Sequence, residues 1–278
     1  MQTPDQSPLG RKIDFPDRVD PRVLFPIPRA QTRAEWQLDG RVSPFTGVDI
    51  WNAYELSWLD PRGKPRVALA ELRVPAESPN LIESKSLKLY LNGYAFERFD
   101  SGQAVRAAIA RDLSAAAGGA IEVALIEPPE FAAQTIAELP GASLDELQLE
   151  IGEYGPPQPR HLRADTRACQ TEESLTTQLF RSNCPVTGQP DWAALQIRYH
   201  GAPIDHAGLL RYLVSWRNHR GFHEACVERI CADILMRCAP RDLSVYARFT
   251  RRGGLDINPW RATPGYAARP PNLRGARQ

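Results

Sequence analysis

A chain of 278 residues exceeds one small domain and, at ~150 residues per domain, points to about two units. Its 42% hydrophobic and 24% charged residues are near the globular average, which excludes a fibrous or largely disordered protein. The 34 Lys and Arg against 33 Asp and Glu leave a net charge of +1, so nothing attracts nucleic acid or an anionic membrane globally, and a small-molecule substrate is expected.

In chain order, residues 1–45 read as an N-terminal arm, because Pro4, Pro8, Pro16, Pro21, Pro26 and Pro28 interrupt any regular pattern. Met1 to Asp20 lack the apolar core of a secretory signal, and no stretch reaches the ~20 apolar residues of a membrane span. The expectation is a cytoplasmic protein without a membrane partner. Residues 46–155 read as a first module. Ile50 to Leu59 and Arg66 to Val74 are strand-like runs around the turn Asp60-Pro61-Arg62-Gly63. Leu87, Tyr90, Leu91 and Tyr94 recur at helical spacing, as do Val105, Ile109 and Leu113 before Gly118 and Gly119. Alternation in Ile121, Val123 and Leu125, and again in Leu147, Leu149 and Ile151, predicts two closing strands.

Residues 156–170 read as a linker, introduced by Gly155, Pro156, Pro157 and Pro159. Residues 171–278 repeat the order of the first module. A strand around Leu195, Ile197 and Tyr199 precedes helices at 205–218 and 222–237. Leu243 to Phe249 then alternate, and a turn at Arg251 to Gly254 leads into Leu255 to Trp260. One element order in both halves predicts an α+β tandem of related modules, although no strong residue-level repeat connects them.

Five cysteines without a C-x-x-C pair argue against a disulfide framework or zinc knuckle and for reduced thiols. Cys226, Cys231 and Cys238 share a helix with Val227, Ile230 and Ile234 and read as core; Cys169 has no evident partner. Cys184 differs. In Ser182-Asn183-Cys184-Pro185-Val186-Thr187-Gly188-Gln189-Pro190-Asp191-Trp192 a thiol and a carboxylate flank a run of turn formers. A thiol is already a strong nucleophile, and a nearby acid completes a proton-transfer pair. On the residues alone a second reading stands beside this one, a packed thiol next to a turn-capping aspartate, and spacing does not decide between them.

Three further clusters carry chemistry-bearing side chains. His223-Glu224 opens the last helix, either as a binding edge or as a solvated His beside a Glu that complements the helix dipole. Glu83-Ser84-Lys85-Ser86-Leu87-Lys88-Leu89-Tyr90-Leu91 places a carboxylate, hydroxyls and cations at a helix start, where anions bind but where ordinary capping gives the same string. Arg251-Arg252-Gly253-Gly254 fits a phosphate contact or a charged hairpin tip. No histidine has metal-ligand spacing, so no metal is expected, and neither a Rossmann fingerprint nor a Walker motif occurs.

Together these blocks, with Gly47-Val48-Asp49-Ile50-Trp51, Tyr54-Glu55-Leu56-Ser57-Trp58 and Tyr246 to Arg261, closely resemble the two-module NADPH-dependent 7-cyano-7-deazaguanine reductases, known as QueF. The resemblance implies tandem tunnelling-fold modules, each a four-stranded antiparallel sheet with two helices on one face, and a homodimer. By similarity, Cys184 attacks the nitrile carbon to give a covalent thioimide and Asp191 donates the proton. Ile82, Glu83, Ser84, His223 and Glu224 hold the deazaguanine base. Ser84, Lys85, Arg252 and Gly253 contact NADPH. The implied reaction makes 7-aminomethyl-7-deazaguanine for queuosine tRNA modification, with no direct nucleic-acid contact. Two rivals remain at this level: a cysteine nitrile or amide hydrolase, and a non-catalytic purine- or tRNA-binding module.

Overall fold

The computed structural model describes residues 16–34, 45–266 and 269–278; the arm's residues 1–15 and 35–44 lie outside this range. The chain is mixed α+β. Contacts divide it into two compact units, one comprising 1–39, 48–135 and 251–257, the other 40–47, 136–250 and 258–278. The segment 136–170, including the expected linker at 156–170, clusters with the second unit.

In the first unit, part of the expected arm is ordered and docked. β1 (Pro26–Pro28) pairs antiparallel with β4 (Asn80–Ile82), and α1 (Arg29–Ala34) begins with a buried arginine whose Nη2 meets Asp49 Oδ2 at 2.5 Å. The hairpin β2 (Thr46–Leu59) and β3 (Pro65–Pro75) carries the expected alternation: Ala68, Ala70, Leu72 and Val74 are buried while their neighbours are not. β5 (Glu122–Ile126) extends β3 antiparallel. α2 (Ser84–Asn92) and α3 (Gly102–Ala117) bury Leu87, Tyr90 and Leu91, and Val105, Ile109 and Leu113. Ser101 caps α3, and Gly118 ends it at φ 73°, a conformation glycine adopts without Cβ strain.

The second unit has the antiparallel order β10-β9-β8-β7, from β7 (Thr171–Asn183), β8 (Pro190–Gly201), β9 (Asp242–Phe249) and the part of β10 (Leu255–Ala262) from residue 258 onward. The short β6 (Ala142–Ser143) runs parallel to β7. α4 (His206–Val214) and α5 (His223–Cys238) pack Leu209, Leu213, Val227, Ile230 and Ile234 into the core with the apolar residues of β8 and β9. Residues 147–151 form no strand. Leu147, Leu149 and Ile151 instead pack, partly buried, against this core. Their alternation reports one-sided burial of an extended segment, and strand pairing needs a partner as well.

The units share local construction. β2 and β7 each shift register, between Ala53 and Leu56 and between Thr177 and Phe180. Their hairpin turns close alike: Asp60 N donates to Lys64 O (2.9 Å) and Gly63 N to Asp60 O (2.9 Å), while Cys184 N donates to Gln189 O (2.8 Å) and Gly188 N to Cys184 O (3.0 Å). Asp60 thus stands in the first unit where Cys184 stands in the second. Each helix pair is also tied by a buried tyrosine, Tyr90 donating to Asp112 (2.8 Å) and Tyr212 to Asp233 (2.8 Å). Both hydroxyls are held far above the usual phenol range, first by burial, with the neighbouring carboxylate adding to it at Tyr212, so both stay protonated donors.

Removing either hydroxyl leaves a buried carboxylate short of a donor. Tyr90→Phe and Tyr212→Phe should each lower unfolding free energy by about 1–3 kcal/mol, read as an earlier urea midpoint at unchanged slope. Burial in the α5 core pushes the Cys238 thiol up to about 11, Cys231 to about 12 and Cys226 further still. The thiolate is the reactive form, and a raised value withholds it as pH falls toward neutrality. Iodoacetamide at neutral pH should therefore label the exposed Cys169 and leave these three unmodified in native protein, as peptide mass spectrometry would show.

Candidate active site

The candidate site of the second unit begins where β7 ends. Asn183 N donates to His219 O (2.8 Å) and Gly221 N returns a bond to Asn183 O (3.1 Å), a parallel bridge that ties the residue before Cys184 to the segment entering α5. Across the hairpin, Ser182 pairs with Asp191 and Asn183 with Pro190, so only residues 184–189 form the loop, and Asp191 belongs to β8. Gly188 turns this loop at φ 70°. The thiol of Cys184 is buried at 3% exposure and accepts from Thr187 N at 3.5 Å.

Asp191, also 3% exposed, has Oδ2 3.3 Å from His223 Nε2. His223 is the first residue of α5, with Phe222 at the cap and Glu224 in the first turn. The imidazole is not solvated: its ring stacks on Phe249 with centroids 3.8 Å apart and planes within 3°. Glu224 is buried at 3% exposure. One hairpin thus carries the thiol at the first position of its loop and the carboxylate two residues past that loop, and the helix start sets an imidazole 3.3 Å from this carboxylate. Sequence reasoning missed Phe249. Its alternation with Val245 and Ala247 put it on the buried face of β9, but nothing local connects that position with His223.

Ile82, Glu83, Ser84 and Lys85 lie in the first unit, at the β4–α2 junction. Glu83 caps α2, accepting from Lys85 N (2.6 Å), Ser86 N (2.8 Å) and Ser84 Oγ (3.3 Å). Burial raises its carboxyl above the usual range, against these N–H donors, which lower it. A carboxylate offers about four acceptor positions, so one stays available after three donors. The N–H groups at this helix start are engaged by Glu83, which leaves the side-chain cations as the groups for an anionic ligand. Arg252 and Gly253, also in this unit, form the turn before Leu255, and Arg252 N donates to Leu255 O (2.9 Å). Lys88, one helical turn beyond Lys85, joins them: a Cβ on Gly253 would come within 3.1 Å of Lys88 Nζ, so glycine allows this ammonium to lie against the turn. Lys88 and Glu55 are 3.6 Å apart, and both line a shallow pocket with Gly253 and Gly254. Lys88 stood in the sequence string, and its i, i+3 spacing from Lys85 was the signal for it.

Comparison with known proteins gives this geometry a family. A family described as nitrile reductase, 7-cyano-7-deazaguanine-reductase N-term matches residues 15–125, and one described as QueF-like protein matches residues 190–266. The chain is 56% identical over 272 residues to the NADPH-dependent 7-cyano-7-deazaguanine reductase of Bordetella pertussis, covering 98% of each chain. It is 55% identical over 279 residues to the enzyme of that name from Stenotrophomonas maltophilia, covering 100% of both. It is also 55% identical to the Burkholderia mallei enzyme over 275 residues, 99% of each. With both family matches and full-length relatives at this identity, the chain belongs to the NADPH-dependent 7-cyano-7-deazaguanine reductase family.

Proposed function

We propose that the protein reduces the nitrile of 7-cyano-7-deazaguanine to the primary amine of 7-aminomethyl-7-deazaguanine with NADPH, in queuosine biosynthesis. The observation that carries this reading is the Cys184 hairpin with its Asp191–His223 pair, in a chain matched end to end by reductases of that name. Each unit is read as a tunnelling-fold module, supported by their shared construction, and the protein as cytoplasmic, supported by free thiols; the homodimer is what the family resemblance implies.

Cys184 Sγ adds to the nitrile carbon, forming a C–S bond as its S–H bond breaks; Asp191 gives its proton to the nitrile nitrogen and takes up the thiol proton in exchange, giving a thioimide. His223 holds the Asp191 carboxyl and is itself held by Phe249. The C–S bond breaks between the two reductions and returns its electron pair to Cys184, and both hydrides would come from bound NADPH. Lys85, Lys88 and Arg252, with the open turn at Gly253, suit its phosphate groups. His223, Glu224, Ile82, Glu83 and Ser84 are assigned to the base. Buried carboxylates read its N–H edge, since a base without those donors would leave them unpaired. Burial of Cys184 and Asp191 keeps water from the imine.

Protein mixed with the cyano substrate and NADPH should oxidise two NADPH per amine formed, and Cys184→Ser should abolish turnover. Without NADPH, intact mass should show one entire substrate retained on Cys184, whereas a hydrolase adduct would have lost ammonia. Asp191→Asn should keep this adduct chemistry slow and reduce kcat by about 10²–10⁴-fold, the usual contribution of a positioned proton donor.

A further inference from the structure

Beside the candidate site, in the second unit, three guanidinium groups converge on one indole. The guanidinium carbons of Arg181, Arg217 and Arg277 lie 5.5, 5.1 and 5.8 Å from the ring centre of Trp192. Arg181 and Trp192 are cross-strand partners on β7 and β8, Arg217 follows α4, and Arg277 comes from the C-terminal segment. Among the described residues none of the three forms an ion pair. Arg181 donates to Asn183 Oδ1 (3.1 Å), Arg277 donates to Gln178 O (2.8 Å), and the indole is the contact of Arg217. Arg181 Nε is buried without a hydrogen-bond partner.

This arrangement is electrostatically incomplete. All three charges fall within about one Debye length of a single point, ~8 Å at physiological ionic strength, so they repel one another with little screening. The attraction of one ring face for a cation is modest and does not neutralise charge. The nearest carboxylate lining the adjoining pocket, Glu138, is engaged by Gln178 Nε2 (2.7 Å) and Ala276 N (3.1 Å). That same pocket is lined by Arg277 and by Arg248, which is 3% exposed and has a buried Nε with no hydrogen-bond partner. Glu138 keeps its charge through these neutral donors, so the three arginines of the cluster and Arg248 are offset by one carboxylate in that pocket, and Arg181 and Arg248 each keep an unused buried Nε.

We propose that the Arg181–Arg217–Arg277 cluster on Trp192 is a binding site for a phosphate-class anion, a phosphate ester or pyrophosphate. A multiply charged tetrahedral oxyanion matches three guanidinium forks better than a single carboxylate does. The site shares no residue with Lys85, Lys88 and Arg252, and the proposal does not depend on the nitrile chemistry. Trp192 follows Asp191 directly, and strand alternation turns its side chain to the opposite face.

The test is a titration of the full-length protein with inorganic pyrophosphate at low salt, followed by tryptophan fluorescence and calorimetry. Saturable binding is expected, with a fluorescence change that Trp192→Phe abolishes and that added salt weakens. Arg217→Ala and the exposed Arg277→Ala should each weaken binding about tenfold or more, as loss of one charged hydrogen-bond donor implies. Displacement of pyrophosphate by NADP⁺ would assign the site to a dinucleotide phosphate, and absence of displacement to a free phosphate or simple ester. Lack of saturable binding would overturn the proposal. So would wild-type affinity in both arginine variants, or loss of binding in Arg252→Ala with none in Arg217→Ala and Arg277→Ala.

Discussion

The candidate chemistry of the second unit depends on a backbone constraint, the two-bond bridge between Asn183 and the segment His219 to Gly221. A hairpin loop with a thiol at its first position would ordinarily move with the loop. Here the residue before the thiol is fixed to the chain that leads, two residues later, into α5. The same bridge therefore sets the position of His223 and Glu224 relative to the end of β7. Its strength lies in peptide groups, two bonds on one residue, which lose their partners together only if the corner opens.

Buried acids are handled alike in both units, each of four taking a donor from another element, with a local arginine added at Asp112 and Asp233. Glu228 takes Arg261 at 2.8 Å, Asp49 takes Arg29, Asp233 takes Tyr212 and Arg229, and Asp112 takes Tyr90 and Arg111. Such pairs add little net stability compared with apolar packing, yet removing one partner strands a charge in the core. They act as registers, since a helix displaced by one turn would lose its counterpart.

Much of this was legible in the sequence, where one periodicity has one physical cause. The alternation of Ala68 to Val74 and the i, i+4 spacing of Val105, Ile109 and Leu113 each report a single buried face, and the structure has a strand and a helix there. Leu147 to Ile151 show the limit of that logic, because alternation records which side is buried and says nothing about a hydrogen-bonded neighbour. The first unit draws residues from 251–257, nearly 200 positions beyond β2, and no local pattern announces so distant a partner. At the candidate site, the turn formers around Cys184 and the helix start at His223 could be read directly. The expectation that the thiol does more than pack came from resemblance to a family, since spacing left both readings standing. The ring of Phe249 beneath His223 is a tertiary fact, invisible to any window of sequence.

Asp60 and Cys184 begin turns closed by equivalent hydrogen bonds, and the comparison separates architecture from reactivity at this corner. A carboxylate and a thiol differ in size, charge and acidity, yet each begins a turn of the same closing pattern, one residue longer at Cys184. The loop's shape is written in its peptide groups and its glycine, Gly63 or Gly188. The first residue of such a turn can therefore be exchanged without jeopardising the scaffold, which frees its side chain to specialise.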